Sequence, residues 1–202
     1  MGGVPGPAEL DQGELLLVGG AGDFSTLDDH PWIRSFFDFL STVVIPQKIP
    51  TFASCFGFQS IVRAGGAEVI KDPSRAEVGT FPIDVTEAGG RDSLFGPIAG
   101  GFPAQLGHKD HATALPSGCI HLAGSERSPF QALRIEGTHI VATQFHPELD
   151  RAANLYRYQT YRAAYAGSSA DNDAEVTDGL IDSPEATALL PRWAAEVLAE
   201  SL

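Results

Sequence analysis

"TFASCFGFQ" (residues 51–59) decides how this chain folds. IPTFAS (49–54) is short and apolar and reads as a buried strand, while GFQSIVRA (57–64) has helical spacing and stops at Gly65-Gly66. A strand that turns at once into a helix leaves the residue between them at the tip of a tight elbow. The backbone crowds itself at such a turn, so the residues two before and two after must be small. Here they are Ala53 and Gly57, and the residue at the tip is Cys55. The helix start aims its free N–H groups and its dipole at the sulfur, which favours thiolate. The N–H of Phe56 would face the oxygen of a carbonyl under attack. Cys55 is therefore a candidate nucleophile.

Working outward, ELLLVGG (14–20) reads as a buried strand running into glycines. PWIRSFFDFLSTVV (31–44) reads as a helix with Asp29 or His30 as cap and Pro31 in the first turn. Strand, helix, strand, helix in this order predicts a parallel sheet covered on both faces. The middle of the chain holds short strand candidates: AEVIKD, EVGTFPIDVT, GFPAQLGH, GCIHLAGS, PFQALRI and THIVATQF. With no long helix among them, some of these strands are expected to be antiparallel. A helix is expected at 149–166. The acidic GSSADNDAEVTDG (167–179) reads as a linker or mobile loop. The last segment is helical, with Ser183 as cap and Pro184 in the first position, and Pro191 should kink or split it. These boundaries give a domain at 14–166, an acidic linker at 167–182 and a C-terminal helical extension at 183–202.

A nucleophilic cysteine needs a base and an orienting group. TQFHPE (143–148) supplies candidates for both. His146 follows an apolar strand and Glu148 lies two residues on, with Pro147 stiffening the link. In an extended segment residues two apart point the same way. Glu148 can then hold one imidazole nitrogen and leave the other for the thiol.

Composition narrows the alternatives. The net charge is −13, from 26 acidic and 13 basic side chains. Such a surface repels phosphate backbones and argues against nucleic-acid or anionic-membrane partners. No apolar run reaches the length of a membrane span, and the first residues do not read as a secretory signal. Two cysteines fit a reducing compartment, so a cytoplasmic location is expected. Cys119, in a strand-like run without partners, reads as structural. His108, Asp110 and His111 match no strong zinc pattern and read as a substrate-side loop, with neither metal nor cofactor expected. AGGRDS (88–93) imitates a phosphate-binding S-G-G-x-D-S loop but begins with Ala, and reads as a turn. Tyr156, Tyr158, Tyr161 and Tyr165 read as helix packing and surface.

"SCFGFQ", followed about ninety residues later by "QFHPE", resembles the class I glutamine amidotransferase family, with motifs G-x-C-x-G-x-Q and H-P-E. "GHKDH" (107–111) resembles the family's H-G-D segment, and "LLLVGGAGD" (15–23) its Gly-Gly oxyanion loop. The pattern is similar to stand-alone, GMP-synthase-like domains. The resemblance implies an α/β fold: a mixed, mostly parallel central sheet flanked by helices, of the flavodoxin-like class I amidotransferase type. It implies that Cys55 attacks the side-chain amide of glutamine to give a thioester and ammonia. His146 would shuttle protons and Glu148 would hold it. Gly19, Gly20 and Phe56 would form the oxyanion hole, and Gln59, His108 and Asp110 would lie on the substrate side. The partners implied are a small-molecule substrate and a separate synthetase as ammonia acceptor. Ala53 stands where the family has Gly, and Phe58 where His is common. Family members carry a strand–helix–strand unit before the Gly-Gly loop. Here about thirteen residues precede the first strand, so the sheet is expected to lack that unit. Two other readings stay open: a γ-glutamyl peptide or amide hydrolase with the same triad, and a catalytically silent binding or regulatory domain.

Overall fold

The elbow cysteine sits between two strands that are distant in sequence and adjacent in space. In the computed structural model, which describes residues 15–165 and 173–200, β2 (Thr51–Ser54) lies between β1 (Leu16–Val18) and β9 (Ile140–Thr143), parallel to both. All four residues of β2 and all four of β9 are buried, as expected of short apolar strands covered on both faces. Beyond β9 the sheet continues antiparallel through β8 (Ala132–Ile135), β7 (Cys119–Gly124), β4 (Glu77–Val85) and β5 (Phe102–His108). The middle strands are thus antiparallel, as the lack of crossover helices between them predicts. A separate pair, β3 (Val69–Lys71) with β6 (Asp110–Ala112), joins the loop after α2 (Phe56–Ala64) to the end of β5. Strand β6 begins within GHKDH, at Asp110, in the part that the sequence suggested was a loop. Among the described residues β1 is an edge strand of the large sheet.

Side chains along β2 and β9 alternate between two cores, which is how a central sheet acquires its two faces. Phe52 and Val141 join Phe102, Phe145, Leu189 and Trp193 on one face. Ala53, Ile140 and Ala142 join Leu40, Val44, Phe58 and Ile61 of the α1 and α2 side on the other. The helix expected at 31–44 forms as α1 (Pro31–Phe39) continued by a π-helical turn at Leu40–Val44. Its N-cap is His30, without a side-chain cap bond; Asp29 instead pairs with Arg34.

After β9 comes α3 (Arg151–Tyr161), capped by Asp150, whose carboxylate accepts from the Ala153 N–H at 2.7 Å. Residues 167–172 of the acidic stretch lie outside the described residues. Its remainder is not loop throughout: residues 173–178 form α4 (Asp173–Asp178), with Val176 buried against Val78, Tyr158 and Tyr165. One buried apolar residue among six sufficed, because Tyr158 Oη donates to Asp173 at 2.5 Å and holds the turn in place. The C-terminal segment splits as Pro191 requires, into α5 (Pro184–Thr187) and α6 (Leu189–Glu200). Ser183 precedes α5 but does not cap it; its hydroxyl accepts instead from Gln105.

The sheet curls. Directly beyond β9, the His146 N–H donates to the Gln105 carbonyl of β5 at 2.9 Å, although three strands separate β9 from β5 in the sheet. Closure brings the far edge back to the elbow. Trp193 of α6 fixes the opposite face. It is fully buried, meets Phe52 edge-on at 5.5 Å and donates from Nε1 to the His139 carbonyl at 2.9 Å. Trp193→Ala should therefore cost about 3–5 kcal/mol of stability, read as a lowered denaturant midpoint; a shift below about 1 kcal/mol would show that α6 is not part of the cooperative core.

Candidate functional site

Cys55 has φ +53° and ψ −102°, one of two described non-glycine residues at positive φ. That conformation is strained for an L-residue and persists only where the surroundings impose it. Two contacts impose it here. The Cys55 N–H donates to the Thr143 carbonyl of β9 at 2.8 Å. On the helix side, a Cβ at Gly57 would stand 2.6 Å from the Val18 carbonyl oxygen, so only glycine lets the helix start this close to β1.

His146 projects from the segment after β9, buried to 2% exposure. Its Nδ1 lies 2.6 Å from Glu148 Oε1, which also accepts from Ser54 Oγ at 3.2 Å. Ser54, directly before the cysteine, is an additional member of the site that the motifs did not flag. Strand alternation offered a signal, since Ser54 must face away from Ala53. The other nitrogen of His146, Nε2, is buried and not engaged by Glu148, and the imidazole interacts with Cys55.

Burial by itself would push the Cys55 thiol up, but the charge and hydrogen bond of His146, helped by Arg157 and His108, bring it below the ordinary value. Burial would likewise lower His146; the Cys55 charge and hydrogen bond and then Glu148 outweigh it and raise the imidazole to about 9. Burial would raise Glu148, and its hydrogen bond and ion pair with His146 hold it low. The arrangement favours a thiolate beside an imidazolium beside a carboxylate. Cys119 shows the contrast: burial without a cationic neighbour pushes it up to about 11.

Gly19 and Gly20 directly follow β1, and Gly20 lies against the pair. A Cβ there would be 3.0 Å from His146 Cε1 and 3.8 Å from Cys55 Cβ. Phe56 begins α2 and is buried. A cavity of about 280 Å3 opens beside the sulfur, lined among others by Phe24, Cys55, Gln59, Gly107, Asp110 and Arg157. His108 also lines it, but both its nitrogens are engaged, Nε2 with Glu77 and Nδ1 with the Asp110 carbonyl, each at 3.0 Å. Gln59 is engaged too. Its amide donates to the Asp110 carbonyl at 2.9 Å and to Gln144 at 3.0 Å, which ties α2 to β6 and to the segment after β9. Asp110 accepts from Ser25 Oγ at 2.5 Å. His111 does not line this cavity; it is buried, and burial lowers its pKa. AGGRDS forms a turn whose Asp92 carboxylate binds Arg134 at 2.6 Å.

A profile of the family described as glutamine amidotransferase class-I matches residues 7–155. The GMP synthase [glutamine-hydrolyzing] of Thermosipho africanus is 33% identical over 140 residues, covering 69% of this chain and 25% of that one. The enzyme of the same name from Phenylobacterium zucineum is 36% identical over 121 residues, 57% of this chain and 23% of that one. The chain therefore spans about a quarter of the length of these relatives. Among solved structures, a glutamine amidotransferase from Thermotoga maritima superposes with a TM-score of 0.71 at 17% identity, covering 94% of this chain and 82% of that one. A glutamine amidotransferase from Methylobacillus flagellatus gives 0.68 at 22%, covering 87% and 71%. Fold, motif order and profile agree, and the chain belongs to the class I glutamine amidotransferase family.

Proposed function

We propose that this chain hydrolyses the side-chain amide of glutamine through a Cys55–His146–Glu148 triad. The observation that carries this reading is the 2.6 Å contact between His146 Nδ1 and Glu148, which leaves Nε2 for the elbow cysteine with which the imidazole interacts. The Cys55 thiolate adds to the amide carbon. The oxyanion that results falls before the Phe56 N–H and the Gly19-Gly20 turn. His146 gives its Nε2 proton to the nitrogen, the C–N bond breaks and ammonia leaves, with the acyl group held as a thioester. Neutral Nε2 then takes a proton from water, the hydroxide adds to the thioester, and the C–S bond breaks to give glutamate and the free thiolate. Glu148 holds the imidazole in the tautomer and orientation these steps need. Gln59 acts through its hydrogen bonds, fixing the cavity wall rather than gripping substrate directly. Ammonia would pass to a separate synthetase.

One observation favours a second reading. Phe24 lines the cavity, is 42% exposed and packs edge-on against Trp32 at 5.2 Å. This apolar rim suits a leaving amine larger than ammonia, as in a γ-glutamyl amide or peptide. The bond broken is the same, so glutamine and γ-glutamyl dipeptides offered in competition to the purified chain separate the two.

Ammonia release from L-glutamine should vanish in Cys55→Ala with the fold intact by circular dichroism. It should fall about a hundredfold or more in Glu148→Gln. With pH, the rate should rise as Cys55 ionises, below the ordinary thiol value of 9.0. It should fall again near pH 9, where His146 loses the proton that the leaving nitrogen takes. Removing the Glu148 charge should move that alkaline limb to lower pH; a limb that stays put would mean another group is titrating. Iodoacetamide near neutral pH should label Cys55 and spare Cys119, read by peptide mass. Equal labelling of both would count against a thiolate at the elbow.

A further inference from the structure

The cavity beside Cys55 holds a cation that takes no part in the proton transfers of the triad, although its charge helps hold the thiol low. Arg157 of α3 lines it, with Nη2 donating to the Gly107 carbonyl at 2.8 Å. Its Nη1 is buried without a carbonyl or carboxylate partner among the described residues, although the guanidinium also acts on the Tyr165 hydroxyl. The guanidinium occupies the space that a side chain at 107 would need: a Cβ at Gly107 would lie 1.8 Å from Nη1. A glycine in a strand interior is a cost unless something must approach closely, and what approaches here is this charge. A buried donor without an acceptor costs about 1–3 kcal/mol, more when charged. An anion seated on Nη1 would remove that cost.

The rest of the lining has both signs. Lys71 and Lys109 join Arg157, while Asp23, Asp28 and Asp110 line the cavity too. Asp28 and Asp110 are both drawn to Ser25, through its N–H at 2.8 Å and its hydroxyl at 2.5 Å. Carboxylates and cations on the walls of one small cavity fit a zwitterionic head group better than a simple anion. In glutamine the amide end is neutral, and the only negative group is the α-carboxylate.

We propose that Arg157 is a specificity-determining residue that binds the α-carboxylate of the glutamyl substrate and so sets its γ-carbonyl at Cys55. This rests on the reading of Cys55 as the nucleophile. Gly107 serves by leaving room for the guanidinium. Nη1 supplies N–H donors suited to a carboxylate oxygen, and a charge-assisted bond of this kind is among the stronger ones a site can make.

The test is binding of L-glutamine and of 4-aminobutanamide, which is glutamine without its α-carboxylate, to Cys55→Ala protein by calorimetry. Ammonia release by the cysteine-containing forms is measured alongside. Glutamine should bind and the amide without the carboxylate should bind at least tenfold more weakly. Arg157→Met should weaken glutamine about tenfold to a hundredfold and leave 4-aminobutanamide unchanged. Gly107→Ala, which displaces the flexible guanidinium without removing it, should do the same. In turnover the loss should fall on KM, with kcat largely kept. The inference is overturned if glutamine does not bind Cys55→Ala, if Arg157→Met leaves its affinity unaltered, or if both ligands weaken equally. Cysteine-dependent ammonia release with unaltered affinity in Arg157→Met would sink the role of Arg157 and keep the glutaminase. Selective glutamine binding without release would keep Arg157 as the anchor and sink the proposed hydrolysis.

Discussion

The whole site hangs on the backbone of one residue. Cys55 is held at positive φ between a buried strand and a buried helix, and little in its own side chain favours that state. The strain is sustained from outside, by the Thr143 carbonyl on one side and the Val18–Gly57 contact on the other. Both supports lie in parallel neighbours: β9, buried throughout and committed to the two cores, and β1, whose Leu16 and Val18 are half-buried against the core that holds α2. Relaxing the elbow would mean moving a strand that is packed on both faces, which costs more than the 1–3 kcal/mol such strain stores. The sulfur therefore stays where the helix start and His146 can act on it.

The curl of the sheet supplies the rest. A flat sheet in the observed strand order would leave β5 far from β9. Instead the Gln105 carbonyl meets the His146 N–H, and the end of β5 delivers Gly107 and His108 to the cavity next to Cys55. The same closure buries polar side chains that pair with one another: Gln105 bonds Asn154 and Ser183, and His108 bonds Glu77. Such a network, once complete, specifies a single arrangement. It also accounts for why residues that the motifs place on the substrate side, Gln59 and His108, are engaged by protein atoms.

Much of this was legible in the chain. The elbow, the HPE segment and the Gly-Gly turn each follow from local rules: small residues flanking Cys55, alternation placing His146 and Glu148 together, and a strand ending in glycine. The order of antiparallel strands in the middle, the curl and the position of Arg157 were not, because each depends on pairings between residues far apart in sequence. Arg157 sits in a helix whose tyrosines suggested ordinary packing; only its approach to Gly107 reveals it. Helix α4 was hidden for the opposite reason. Its acidic composition favours loop, and a single tyrosine hydroxyl together with the burial of Val176 decides otherwise.

The pairing of β2 with β9 has a consequence for how the molecule is made. The strand that carries the thiol leaves the ribosome early, while its neighbour and the histidine follow about ninety residues later. Until β9 slots in between β2 and β8, the Cys55 N–H has no Thr143 carbonyl and the sulfur has no imidazolium beside it. Contacts of such long sequence separation form late in folding. Before that pairing the thiol lacks the imidazolium that lowers its pKa in the folded chain, so its acidity depends on completion of the sheet. The acidity of Cys55 thus serves as a built-in chemical timestamp for completion of the sheet.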